Sequence, residues 1–149
     1  MFRGRFEHNV DDKGRIAIPS RYRESIIDVQ TCPTLVITNS ERCLAAYPLK
    51  EWEALETKLA SLPQFDPKVT AFQRYFISGA VECPIDKAGR VLLPSNLREY
   101  AAIERDCIIA GRLTKFEIWS EERWSEEFNI LSDQFSTIIS SMSELNINL

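Results

Sequence analysis

The chain has 149 residues, 44% of them hydrophobic and 27% charged, with a formal net charge of −4; this suits one compact soluble unit or two interlocked halves. No apolar run approaches the ~20 residues of a membrane span. The start Met1-Phe2-Arg3-Gly4-Arg5 runs straight into a polar strand without a signal-peptide core, so a cytoplasmic protein is expected.

Phe6-Glu7-His8-Asn9-Val10 alternates, placing Phe6, His8 and Val10 on one face. After the polar stretch Asp11-Asp12-Lys13-Gly14, Ile16 and Ile18 take the buried face and Arg15 the opposite one. Period-two alternation on both sides of a short Gly-containing loop predicts a β-hairpin. Gly14 supplies the positive φ of a tight turn, Asp11 can bond loop amides, and Pro19 ends the second strand. Ser20–Ile27 then suits a short helix, Leu35–Thr38 and Leu44–Tyr47 read as buried strands, and Pro48 to about Leu62 carries Leu49, Trp52, Leu55, Leu59 and Leu62 on one helical stripe. Pro63 breaks that helix. Asp66-Pro67 supplies an N-cap and a proline at the first helical position, so residues 63–77 read as a helical bridge that Gly79 stops.

The pattern then returns. Asp86-Lys87-Ala88-Gly89-Arg90-Val91-Leu92-Leu93-Pro94-Ser95 matches Asp11–Ser20 in register at Asp, Gly, Arg, Pro and Ser. Val81, Cys83 and Ile85 take the inner face of the copied strand, Arg98 meets Arg23, Phe116–Trp119 matches Leu44–Tyr47, and Trp124 matches Trp52. Repetition of this kind decides architecture. The expected units are a first repeat over 1–62, the bridge 63–77, a second repeat over 78–124, and a C-terminal helix and tail over 125–149. In that helix Trp124, Phe128, Leu131, Phe135, Ile138, Met142 and Leu145 are spaced alternately four and three apart, a heptad seam. Its first turns suit packing on the chain's own sheet; beyond Phe135 little core remains to cover, so the seam suits a neighbouring subunit, although the serine-rich stretch Ser136 to Ser143 could equally fray.

Met1-Phe2-Arg3-Gly4, the two Asp-x-x-Gly-Arg-x-x-x-Pro motifs and the chain length resemble the MraZ family, bacterial transcriptional regulators of the division and cell-wall gene cluster related to SpoVT/AbrB swapped-hairpin DNA-binding domains. The resemblance runs roughly to Trp124. It implies an α+β fold with a mainly β core, in which two tandem AbrB-like half-repeats form a pseudo-twofold β-barrel with flanking helices. It also implies a repressor acting at the nucleoid on short repeats of double-stranded DNA upstream of its own operon, and ring-like homo-oligomers.

On that reading Arg15 and Arg90 are the base-reading residues, because an arginine on a two-stranded ribbon in the major groove can bond guanine bidentately. Lys13 and Lys87 flank them as phosphate contacts, and Arg3 and Arg5, at the basic N-terminal end, are counted with them as DNA-binding residues. Asp11, Gly14, Asp86 and Gly89 organise the hairpins. Phe128, Leu131, Phe135 and Ile138 are the candidate oligomer interface. Leu92 shares Arg90's face where the first copy has Ala17, which favours Arg15 over Arg90 for DNA. The net charge is no obstacle, since Arg3, Arg5, Lys13, Arg15, Arg21 and Arg23 crowd the first 23 residues while Glu121, Glu122, Glu126, Glu127, Asp133 and Glu144 crowd the end.

Cross-strand Asp–Arg pairs could equally serve the fold alone, and Arg23 and Arg98 are at least as well explained as structural residues. A ring-forming module without a DNA role and an antitoxin-like regulator are the competing readings. An enzyme is not expected: His8 is the only histidine, and no Walker loop or GxGxxG occurs. Cys32, Cys43, Cys83 and Cys107 lack metal-ligand spacing and read as reduced packing residues. No metal, cofactor or small-molecule substrate is expected.

Overall fold

The computed structural model describes residues 1–26 and 32–149. The elements are β1 (Arg5–Asn9), β2 (Arg15–Ala17), α1 (Ser20–Ile26), β3 (Thr34–Asn39), β4 (Leu44–Pro48), α2 (Leu49–Ala60), α3 (Pro67–Phe72) continuing into a π-helical turn (Gln73–Ile77), β5 (Val81–Pro84), β6 (Arg90–Leu92), α4 (Ser95–Tyr100), β7 (Asp106–Arg112), β8 (Lys115–Ser120) and α5 (Glu121–Met142), with a 3-10 turn at Ser143–Leu145. Ile27, at the end of the expected first short helix, lies outside the described residues.

The architecture is α+β and built on antiparallel pairing. A six-stranded sheet runs β1-β7-β8-β4-β3-β5, and β2 pairs with β6 as a separate ribbon. That order reads the same from both ends once β1 is equated with β5, β7 with β3 and β8 with β4, so a pseudo-twofold axis passes between β4 and β8. The ribbon β2–β6 straddles the same axis.

Two sequence expectations change here. The strands flanking each Asp-Gly loop do not pair with each other. The turn itself is hairpin-like, closed by Asp11 N–H to the Arg15 carbonyl at 2.9 Å and Gly14 N–H to the Asp11 carbonyl at 2.9 Å. Beyond it the strands part: β1 pairs with β7, while β2 pairs with β6. Alternation identifies a half-buried strand but not its partner, and the exchange lets both strands bury an apolar face that a lone two-stranded hairpin would leave wet. The second change concerns the barrel. The sheet stays open, its end strands β1 and β5 each having one partner, because each loop turns the chain out of the sheet and sends β2 and β6 across its inner face.

That inner face holds the main core. Ile16, Ile18, Val91 and Leu93 come down from the ribbon, Leu35, Ile37, Ile109, Phe116 and Ile118 come up from the sheet, and Tyr22 and Leu97 close the sides from α1 and α4. The outer face is covered twice by separate means. Trp52 of α2 packs with Val36, Tyr47 and Phe76, its ring stacked on Phe76 at 5.6 Å. Trp124 of α5 packs on Cys43, Ile108 and Trp119.

The bridge is capped as expected, Asp66 accepting the Lys68 N–H at 2.9 Å with Pro67 in the first turn. Its π-helical turn offers carbonyls to the sheet: the Thr38 hydroxyl donates to Phe76 O at 2.6 Å and the Asn39 amide to Tyr75 O at 3.1 Å. Gly79 is needed for this approach, since a Cβ there would overlap the Asn39 side chain. Cys43, Cys83 and Cys107 are buried as expected, whereas Cys32 is exposed. Among the described residues no helix is long and apolar enough to cross a membrane.

Candidate nucleic-acid interface

Each loop is built around one carboxylate. Asp11 Oδ1 accepts the backbone N–H of Lys13 and of Arg15, both at 2.9 Å, while Oδ2 accepts Arg15 Nε at 2.8 Å. In the second repeat Asp86 Oδ1 accepts Ala88 N–H and Arg90 N–H at 2.9 Å, and Oδ2 accepts Arg90 Nε at 3.1 Å. Gly14 and Gly89 sit at φ of +82° and +79°, where a Cβ would be strained.

Because Nε of each arginine is engaged by its aspartate, the guanidinium is held by one edge. Its two terminal amino groups have no hydrogen-bond partner among the described residues, and they form the fork that matches a guanine edge or a phosphate. The aspartate braces the arginine by one edge and leaves the fork free.

The ribbon places these forks. Arg15 pairs opposite Leu92, Ile16 opposite Val91 and Ala17 opposite Arg90. Ile16 and Val91 face the core, so Arg15, Ala17, Arg90 and Leu92 together form the outer face. Leu93 N–H to Gly14 O at 2.9 Å and Ile18 N–H to Gly89 O at 2.8 Å extend the ladder, leaving one Asp loop at each end of the ribbon. Arg15 and Arg90 lie about two residues apart along it, or ~7 Å, close to two base-pair steps.

A family model described as "MraZ protein, putative antitoxin-like" matches residues 1–75 and again residues 76–144. The chain belongs to the MraZ family. Relatives named "Transcriptional regulator MraZ" include those of Moorella thermoacetica (43% identical over 148 residues, 99% of this chain and 100% of the relative) and Thermoanaerobacter pseudethanolicus (45% over 148 residues, with the same coverage). That of Desulforamulus reducens is 47% identical over 124 residues, 83% of this chain and 84% of the relative.

Within this MraZ-family fold the two copies of the loop are electrostatically alike. The backbone N–H of Arg15, helped by the Arg15 side chain and the Lys13 N–H, holds the Asp11 carboxyl below the usual carboxylate range; Arg90 and Ala88 do the same for Asp86. The arginine side chains are comparably exposed, 29% for Arg15 and 35% for Arg90. The exposed Leu92 stands across the strand from Arg15, while Arg90 faces the small Ala17. Leu92 also shares Arg90's face, as the sequence expects, so it borders both arginines. Cross-strand register decides which side chain crowds which, and one strand's sequence does not contain it. Lys13 and Lys87 are exposed in their loops.

Arg3 and Arg5 are not brought to the ribbon. Arg5 begins β1 at the end remote from the 11–15 loop, and its guanidinium lies 4.8 Å from the Phe128 ring of α5. The Arg3 carbonyl accepts the Tyr22 hydroxyl at 3.0 Å. His8 is half-buried on β1, where desolvation lowers its pKa.

The seam lies on α5, on the outer face of the sheet. Ser120 caps the helix by accepting the Arg123 N–H at 3.2 Å, and Arg42 pairs with Glu126 and Glu127 at 2.5 and 3.3 Å. Trp124 meets Trp119 edge-on at 5.7 Å and Phe128 follows it at 6.2 Å. Beyond that, among the described residues of α5, none is fully buried; Phe128, Leu131 and Phe135 are exposed and Ile138 is half-buried.

Proposed function

We propose that this MraZ-family chain is a sequence-specific DNA-binding transcriptional regulator that represses its own division and cell-wall gene cluster. It acts at the nucleoid on short repeats of double-stranded DNA upstream of that operon. The observation that carries this reading is the pair of braced arginines, Arg15 and Arg90, with free guanidinium forks on the outer face of a ribbon that straddles a pseudo-twofold axis. A two-stranded ribbon fits the major groove, and each bidentate arginine–guanine contact discriminates by about 1–3 kcal/mol. The relatives' names support the regulatory role.

Two arginines and two lysines bind weakly alone. Self-association through Phe128, Leu131, Phe135 and Ile138 into a ring-like homo-oligomer would present several ribbons to several repeats, and effective concentration would multiply modest affinities. An assembly module without a DNA role would account for the exposed seam but leave the free forks unexplained. The test is fluorescence anisotropy on labelled DNA from upstream of the operon, across a salt series. The wild type should bind with a slope near −0.9 per phosphate neutralised, and Arg15→Ala should lose specific binding while staying folded and assembled. Equal binding by Arg15→Ala, or no binding by the wild type, would return the arginines to the fold.

A further inference from the structure

Gly14 and Gly89 are buried although both sit in short surface loops. What covers each is an arginine from the other repeat. A Cβ built on Gly14 would lie 3.0 Å from Arg98 Nη2 and 3.1 Å from its Cζ; one built on Gly89 would lie 2.7 Å from both Cδ and Cζ of Arg23. Chain direction explains the exchange. Since β2 and β6 are antiparallel, the end of β6 meets the start of β2, and Leu93 N–H donates to Gly14 O at 2.9 Å. Pro94 then turns the chain into α4, which swings Arg98 back under the first loop. Arg23 reaches the second loop from α1 by the same route. Arg98 is also anchored through Nε, which donates to Leu93 O at 3.2 Å, whereas the buried Nε of Arg23 has no partner.

We propose that Arg98 and Arg23 are positioning residues for DNA reading, each repeat holding the loop of the other. This rests on the DNA-reading function given above. A glycine turn with positive φ has the widest conformational freedom of any residue type, and a binding constellation must be held within about 0.5 Å of its productive geometry. The guanidinium packed against Gly14 removes that freedom where it would otherwise let the Asp11–Arg15 pair swing. Lysine lacks the planar surface for this contact. Glycine is required for the same reason, as a side chain would displace the arginine.

The experiment combines amide hydrogen exchange with DNA binding on the full chain, for Arg98→Met, Arg98→Lys and Arg23→Met. Gly14 N–H and Gly89 N–H, bonded to the Asp11 and Asp86 carbonyls at 2.9 Å, are the reporters. Arg98→Met should speed exchange over 11–15 and leave 86–90 unchanged; Arg23→Met should do the reverse. Specific affinity of Arg98→Met should fall by roughly tenfold, within what one bidentate base contact is worth, with the salt slope unchanged. A direct phosphate contact would instead lower that slope by about one. In double-mutant cycles Arg98→Met should be non-additive with Arg15→Ala and additive with Arg90→Ala. Arg98→Lys keeps the charge and most of the stem, so it should match the methionine variant in exchange while retaining the wild-type melting temperature. Faster exchange in the arginine's own loop, a lost phosphate in the slope, or coupling to Arg90 would overturn the proposal. Should the wild type bind no DNA while the exchange pattern holds, the bracing stands and the DNA-reading function falls.

Discussion

The two repeats agree closely at the ribbon and diverge on the far side of the sheet. At the ribbon every loop contact of Asp11 has its counterpart at Asp86, down to the Nε bond of the arginine. On the outer face, Trp52 of α2 is only 4% exposed and is roofed by Phe76 of the bridge. Its counterpart Trp124 on α5 is only half-buried, and among the described residues no second bridge helix covers it. Where both repeats face one axis they are held alike; where each stands alone they have separated. On the function proposed above, the symmetric side would meet a DNA duplex and the unmatched side would offer its apolar helix face to another copy of the chain.

The largest effect should come from that unmatched side. Replacing Phe128, Leu131 and Phe135 together by serine should cut affinity for multi-repeat DNA by about 10²–10⁴-fold through lost avidity, and leave affinity for a single repeat unchanged. Light scattering would show the accompanying drop in mass. An unaltered mass would mean the seam is not the self-association surface.

The two tryptophans give the next contrast. Trp52→Ala empties a filled site and should cost about 3–5 kcal/mol of stability. Trp124→Ala removes a half-covered ring and should cost clearly less in dilute protein, by urea denaturation. Equal costs would mean that α5 is as well packed as α2.

At the ribbon the comparison predicts equality. Arg15→Ala and Arg90→Ala should each lose about 1–3 kcal/mol of discrimination, measured by competition with mutated repeats. A silent Arg90→Ala would break the functional symmetry even though the geometry is shared.

Much of this was legible in the sequence because the signal was local. The Asp-x-x-Gly-Arg turn, the Asp66 cap, the strands of the sheet and both tryptophan helices follow from spacing and turn chemistry. What spacing and turn chemistry did not carry was partnership, and the exchange between repeats was implied only by the swapped-hairpin resemblance. Alternation made β1 and β2 strands without revealing that each pairs with the other repeat. Leu92 does share Arg90's face, but only the register shows that it also stands across from Arg15, and only the course of β1 shows that Arg5 lies against Phe128. Arg23 and Arg98 recur in register with the motif, a visible sign of a shared role, but the crossing of each to the other's loop exists only in the folded chain.

The smallest effect lies in the acid limb of stability, and it again tests equality of the loops. Both carboxyls are held below the usual range, chiefly by the N–H of Arg15 for Asp11 and of Arg90 for Asp86. A depressed folded pKa means that the unfolded chain binds more protons, so stability rises with pH across that interval. The contribution of each loop is therefore complete above the unfolded aspartate pKa of about 3.9, and it is lost as pH falls through the lower folded value. Asp11→Asn and Asp86→Asn should each flatten the stability–pH curve below about pH 4 and leave its shape near neutrality unchanged, in urea melts from mild to strong acid. Asparagine retains an acceptor for the loop amides but cannot accept the arginine Nε once that acceptor is engaged, so each variant should also weaken DNA binding at neutral pH. A variant that flattened the acid limb while binding DNA normally would separate the brace from the reading, and would show that the arginine fork needs no aspartate to aim it.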